Sequence, residues 1–188
     1  SCWRRDEPII KCSCGADALI PRQRVFCASL ADWLDDEVPI EWLADLLKLI
    51  HETPHLDWLL LTKRPELWRK RMNSVALGDA AQPDLAKWKA GFPVREMARK
   101  WIEEDCYPHN VWFGVSVEDQ KRAEERIPRL LQIPARVRFL SVEPMLGPIQ
   151  LTEVCGLSFN RHPYNSLART YGTGIDWVIF GGESGKGA

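Results

Sequence analysis

The residues of this chain that could do chemistry gather where apolar runs stop. Arg138-Phe139-Leu140-Ser141-Val142 leads straight into Glu143, and Pro144 breaks the chain behind it. A carboxylate placed before Pro is not explained as a helix cap, so Glu143 is the leading candidate for acid–base work or for orienting a polar ligand. The alternative is an ion pair with Lys63 or Arg64. Leu59-Leu60-Leu61 ends in Thr62, Lys63 and Arg64, where two cations can hold a phosphate or carboxylate. They can equally pair with neighbouring acids. Val115-Ser116-Val117 ends in Glu118, and either Asp119 or Glu118 can begin the helix that follows. Val178-Ile179-Phe180 ends in Gly181-Gly182-Glu183, where the glycines permit either close backbone approach to a ligand or a sharp turn. Ser29 and Cys27 close the first such run. Glu143, Glu183 and Lys63 are thus the candidate catalytic set. Thr62, Arg64, Ser29, Glu118, Ser141, Gly181 and Gly182 are the candidate substrate-binding set.

These residues can meet only if the runs between them are strands of one sheet. Arg24–Leu30, Asp57–Pro65, Asn110–Glu118, the run from Arg136 into Glu143, and Ile175–Gly185 read as five strands, the first short and continuous as for a strand buried on both faces. Helical patterns lie between them. Asp35-Asp36-Glu37-Val38-Pro39 opens one, with Leu43, Leu46, Leu47 and Ile50 on a single face. Ala123, Ile127, Leu130 and Leu131 mark another, which Pro128 is expected to kink. Alternating strand and helix predicts an α/β fold with a parallel sheet and right-handed crossovers. A (β/α) barrel, partial or truncated and TIM-like, is the leading architecture, with a doubly wound open sheet second. The G-x-G-x-x-G fingerprint of the second is absent from the first turn. In a barrel the strand ends converge on one mouth.

The 188 residues suit one domain, organised as an irregular segment 1–23 and a barrel over 24–188. An insertion near 73–106 carries a short helix around Leu85 and Trp88 and, past Pro93, a helix whose Met97 and Trp101 read as packing. The net charge of -1 provides no overall field toward nucleic acid or an anionic membrane. No run is long enough to span a bilayer and no signal peptide is visible, so a cytoplasmic location is expected. The six cysteines read as reduced thiols. Cys12-Ser13-Cys14-Gly15 is half of a metal knuckle, and without a second pair no metal site is assigned. A start at Ser1 and an end in glycine-rich sequence suggest a fragment.

Five motifs in this order resemble the phage gene product thirty-seven/sixty-eight family. They are Val25-Phe26-Cys27-Ala28-Ser29-Leu30-Ala31-Asp32, Leu60-Leu61-Thr62-Lys63-Arg64-Pro65, Asn110 to Glu118, Arg138 to Pro148, and Asp176 to Gly185. The resemblance covers most of 24–188 and weakens near 73–106 and 152–173. It implies a radical-SAM-like barrel of phages, prophages and bacteria whose full-length members carry an N-terminal three-cysteine motif. Three thiolates leave one iron of a four-iron cluster open for S-adenosylmethionine. That motif is missing here, so an iron–sulfur cluster and S-adenosylmethionine are expected only of the full-length protein. The phage setting points to a nucleotide or nucleic-acid substrate. The alternative is a non-catalytic binding or accessory protein that works with a partner.

Overall fold

The computed structural model describes residues 9–11, 17–19, 22–27, 31–78, 92–152, 154, 165–167 and 174–182. Strands β1 (Ile9–Lys11) and β2 (Asp17–Leu19) pair antiparallel. The segment 1–23, expected to be irregular, therefore holds a short hairpin. The main sheet is built from β3 (Gln23–Cys27), β4 (Leu56–Thr62), β5 (Val111–Ser116), β6 (Val137–Val142) and β7 (Trp177–Phe180). All four neighbouring pairs are parallel and the strands lie side by side in chain order. Each connection thus steps the same way across the sheet. This order rules out the doubly wound alternative, in which the direction of stepping reverses. The five strands curl into a half-barrel.

Right-handed crossovers that all step one way put their helices on one face. Helix α1 (Ile40–Glu52) joins β3 to β4, α2 (Trp68–Leu77) and α3 (Phe92–Glu103) lie between β4 and β5, and α4 (Gln120–Leu131) joins β5 to β6. Alternate strand residues meet them. Trp58, Leu60, Val111, Phe113, Val115, Leu140 and Val142 share one core with Leu43, Leu47, Ile50, Met97, Trp101 and Ile127. Each fully buried Leu or Ile contributes roughly 1.5–3 kcal/mol relative to exposure. The Met97 and Trp101 face is therefore packing, as its spacing suggested. Trp101 stacks edge-on against Trp68 at 5.8 Å and donates its indole N–H to Pro134 O at 2.6 Å. The helix expected around Leu85 and Trp88 lies outside the described residues.

Two local expectations change. Helix α1 begins after Pro39, because Asp35 turns the preceding chain by accepting the Glu37 amide at 3.0 Å. Strand β3 is not buried on both faces: among the described residues it lies at the edge of the sheet, and Phe26 is 42% exposed. Pro128 sits buried inside α4, which continues through it.

The other strand residues face the concave side. Leu61, Gly114, Phe139 and Trp177 lie across neighbouring strands in register, and the Phe26–Leu59–Trp112 row lies one step toward the amino ends. A Cβ on Gly114 would fall inside the Phe139 ring, within 2.5 Å of Cε1 and Cε2, so glycine there is what lets Phe139 lie flat across β5.

Candidate active site at the carboxyl edge

The carboxyl ends of β4, β5, β6 and β7 meet as the repeated strand-end pattern implied. Beyond β3, Asp32 accepts the Thr62 hydroxyl at 2.7 Å, the Lys63 amide at 2.7 Å and the Leu34 amide at 3.0 Å. Thr62 Oγ1 accepts the Arg64 amide at 2.9 Å in turn. Thr62 is thus a buried link that ties the end of β4 to the loop after β3. It does not face the mouth as a ligand group. Arg64 pairs with Asp35, and that hydrogen bond holds the Asp35 carboxyl below its ordinary value, with the Glu37 amide adding to it.

Glu118 is not the helix start. Asp119 caps α4 by accepting the Arg122 amide at 2.8 Å. Glu118 lies between two cations instead, with Lys63 Nζ 3.1 Å from Oε1 and Arg126 Nη1 2.9 Å from Oε2. Arg126 also donates to Ser116 O at 2.7 Å. Burial favours the neutral acid, but the Lys63 hydrogen bond and the Arg126 charge outweigh it and hold Glu118 below its ordinary value.

The loop after β6 bridges this network to β7. Its Glu143–Pro144 peptide is cis. The Leu146 amide donates to Glu118 O at 2.8 Å, and the Met145 amide to Gly181 O at 3.3 Å. Glu143 is exposed, and its side chain lies directly over Gly181. Among the described residues it has no hydrogen-bond or ion-pair partner. The alternative of a bridge from Glu143 to Lys63 or Arg64 does not form, because those cations take Glu118 and Asp35. Ser141 is buried on the concave side beside Ser116. Gly182 is exposed, and nothing crowds it. Glu183 and Ser29 lie outside the described residues. Among the described strand-end residues, Glu143 is thus an unengaged carboxylate, and Lys63 is salt-bridged with its side chain 61% exposed.

A family model described as "Protein of unknown function (DUF5131)" matches residues 8–188, which include every strand of this mouth. The chain belongs to the DUF5131 family. No curated protein and no solved structure matches it.

The described part of this DUF5131 chain contains no three His, Cys, Asp or Glu side chains placed to share a metal ion. Its described cysteines are Cys27, half-buried on β3, and Cys106, which is disulfide-bonded and so departs from the expectation of reduced thiols throughout. Cys12 and Cys14 lie outside the described residues. Among the described residues, Cys27 and Cys106 do not supply the three thiolates of such a cluster. No helix among the described residues is long and apolar enough to cross a membrane.

Sequence reasoning missed three members of the site: Asp32, Asp35 and Arg126. Asp32 carried a signal, since an acid shortly beyond a strand can gather backbone amides from the next strand end. Arg126 lies seven residues after the cap Asp119, two helical turns on, which returns it to the strand-end side of α4.

Proposed function

We propose that the carboxyl edge of the half-barrel is a ligand-binding mouth. In its full-length form, the protein would be a (β/α)-barrel, radical-SAM-like iron–sulfur enzyme of phage or prophage type acting on a nucleotide or nucleic acid. The observation that carries the mouth is Glu143, a strand-end carboxylate that has no counter-charge among the described residues, while Lys63 and Arg64 are engaged by Glu118 and Asp35. An acid in that state meets a ligand's ammonium or hydroxyl group with a charge-assisted hydrogen bond. Lys63, held by Glu118 but largely exposed, can turn its remaining N–H donors to a carboxylate or phosphate on the same ligand. The loop pinned at Leu146 and Met145 fixes where Glu143 stands relative to both neighbouring strands. The radical reading rests on the resemblance of five motifs. Its three thiolates would come from the full-length gene's own motif, and no residue described here is assigned to them.

A second reading is a non-catalytic binding or accessory protein. It is favoured by the pairing of Lys63, Arg64 and Glu118, which leaves one candidate acid–base residue of the described mouth unengaged. Anaerobic reconstitution of the full-length protein with iron and sulfide separates the two, followed by calorimetric titration with S-adenosylmethionine. Iron uptake with binding that Glu143→Gln weakens is the expected result. A full-length protein that takes up no iron ends the radical reading, and the binding reading then stands.

A further inference from the structure

The opposite edge of the sheet holds a second cluster of side chains. On the concave face, at the amino ends of the strands, a cavity of about 490 Å³ is lined by Arg24, Trp112, Arg136, Val137, Asp176 and Trp177. That volume lies within the roughly 300–1,000 Å³ range of small-molecule pockets. Strand β6 separates it from Glu143. Six residues at about 3.3 Å each put the two on the order of 20 Å apart, so this is not part of the mouth.

The lining combines planar π surface with cationic groups. Trp112 and Trp177 meet edge to face, with ring centroids 5.7 Å apart. The Arg24 guanidinium lies over both, 4.7 Å from Trp112 and 5.8 Å from Trp177. Trp177 remains 38% exposed although Phe139 packs behind it at 6.1 Å. Arg136 stands exposed at the rim, with Nη1 3.5 Å from His109 O. Asp176 is fixed because its Oδ2 accepts the Arg138 amide at 2.8 Å, and its own amide donates to Arg138 O at 2.8 Å.

We propose that this cleft binds a nucleoside monophosphate. A planar base stacks on Trp177 and the Arg24 guanidinium, as bases stack on aromatic and guanidinium groups in single-strand-binding proteins. Arg136 meets the phosphate at the rim, and the Asp176 carboxylate accepts from an exocyclic amino group or a ribose hydroxyl. Among the described lining residues, two guanidinium groups stand against one carboxylate, a balance that favours an anion. The exposed indole selects an aromatic one, and this distinguishes a nucleotide from a sugar phosphate or an acidic peptide.

Titration calorimetry on the 188-residue chain tests the assignment with AMP, ribose 5-phosphate and inorganic phosphate as probes. Saturable AMP binding is expected, with ribose 5-phosphate and phosphate at least tenfold weaker. Trp177→Leu should bring AMP down to the level of ribose 5-phosphate, and Arg136→Gln should weaken it about tenfold. Should Trp177→Leu lower the melting temperature sharply, Arg136→Gln decides, because that residue sits exposed at the bend before β6 and outside the buried core. The proposal is overturned by absent AMP binding or by equal affinity for AMP and phosphate. It is also overturned by binding that survives Arg136→Gln but falls in Glu143→Gln, which would place the nucleotide in the mouth.

Discussion

The Glu143 side chain occupies the space that a side chain on residue 181 would need. A Cβ built on Gly181 would stand 2.7 Å from the Glu143 carboxyl carbon and nearer still to Oε1. The glycine therefore leaves the room in which its neighbour's side chain lies across the β6–β7 pair. Gly181→Ala should drive Glu143 to another rotamer. Because Glu143 is exposed and can swing outward, the stability cost should stay within about 1 kcal/mol. S-adenosylmethionine binding by the reconstituted full-length protein should fall as far as in Glu143→Gln. Calorimetric titration of both variants checks this, and an alanine variant that binds like wild type would separate Glu143 placement from binding. Glu143→Gln itself should leave the melting temperature within a few degrees, since no partner is lost.

Asp32 organises the cationic side of the mouth through three accepted hydrogen bonds, two from the Thr62–Lys63 strand end and one from Leu34. Removing a carboxylate that accepts backbone amides strands the Thr62 hydroxyl and the Lys63 amide. The expected cost for Asp32→Ala is roughly 1–3 kcal/mol. Asp32→Asn should retain part of this through its carbonyl oxygen. Urea denaturation of the two variants gives the comparison, and equal stability for both would mean that charge, rather than acceptance, holds the loop.

Glu118 gives the site its pH dependence. Lys63 and Arg126 hold its folded-state value below that of the unfolded chain. An acid shifted this way contributes stability above its unfolded value and loses it as the pH falls through the folded one. Stability should therefore decline on acidification below the ordinary glutamate range. Glu118→Gln should flatten that decline and, at neutral pH, cost roughly 1–3 kcal/mol by leaving the largely buried Arg126 without its carboxylate. Lys63→Met should cost less, because the Lys63 side chain is 61% exposed. Melting temperatures of wild type and both variants across pH 3–8 would show the ordering.

The strands were legible because a parallel sheet needs long apolar runs, and the residues that interrupt those runs are what the mouth collects. Which charge meets which was not legible. Lys63 could reach Glu118 or Glu143 from the sequence alone. The choice depends on the β4–β5 register, which pairs Thr62 with Val115, and on Arg126 arriving from a helix. Nor did the sequence reveal that β3 lies at the edge of the described sheet. Apolar content reports that a strand can be covered, whereas its neighbours decide whether it is. Gly114 stood in plain view inside a strand motif, but its meaning depends on the register that sets Phe139 opposite it.

That register carries the last prediction. Gly114 and Phe139 are paired on the concave face, and any Cβ at 114 falls inside the Phe139 ring. The ring has little room to retreat, since Trp177 lies 6.1 Å to one side and Phe26 6.3 Å to the other. Gly114→Ala should therefore cost about 1–3 kcal/mol by overpacking, despite the better strand propensity of alanine. Phe139→Leu alone leaves a gap and destabilises, but combined with Gly114→Ala the smaller side chain makes way for the new methyl. The double variant should thus be more stable than the sum of the singles predicts, by about 0.5–3 kcal/mol of coupling. Chemical denaturation of the four proteins measures that coupling directly. Strict additivity would mean that the sheet opens locally at β5 and the ring never bears the strain.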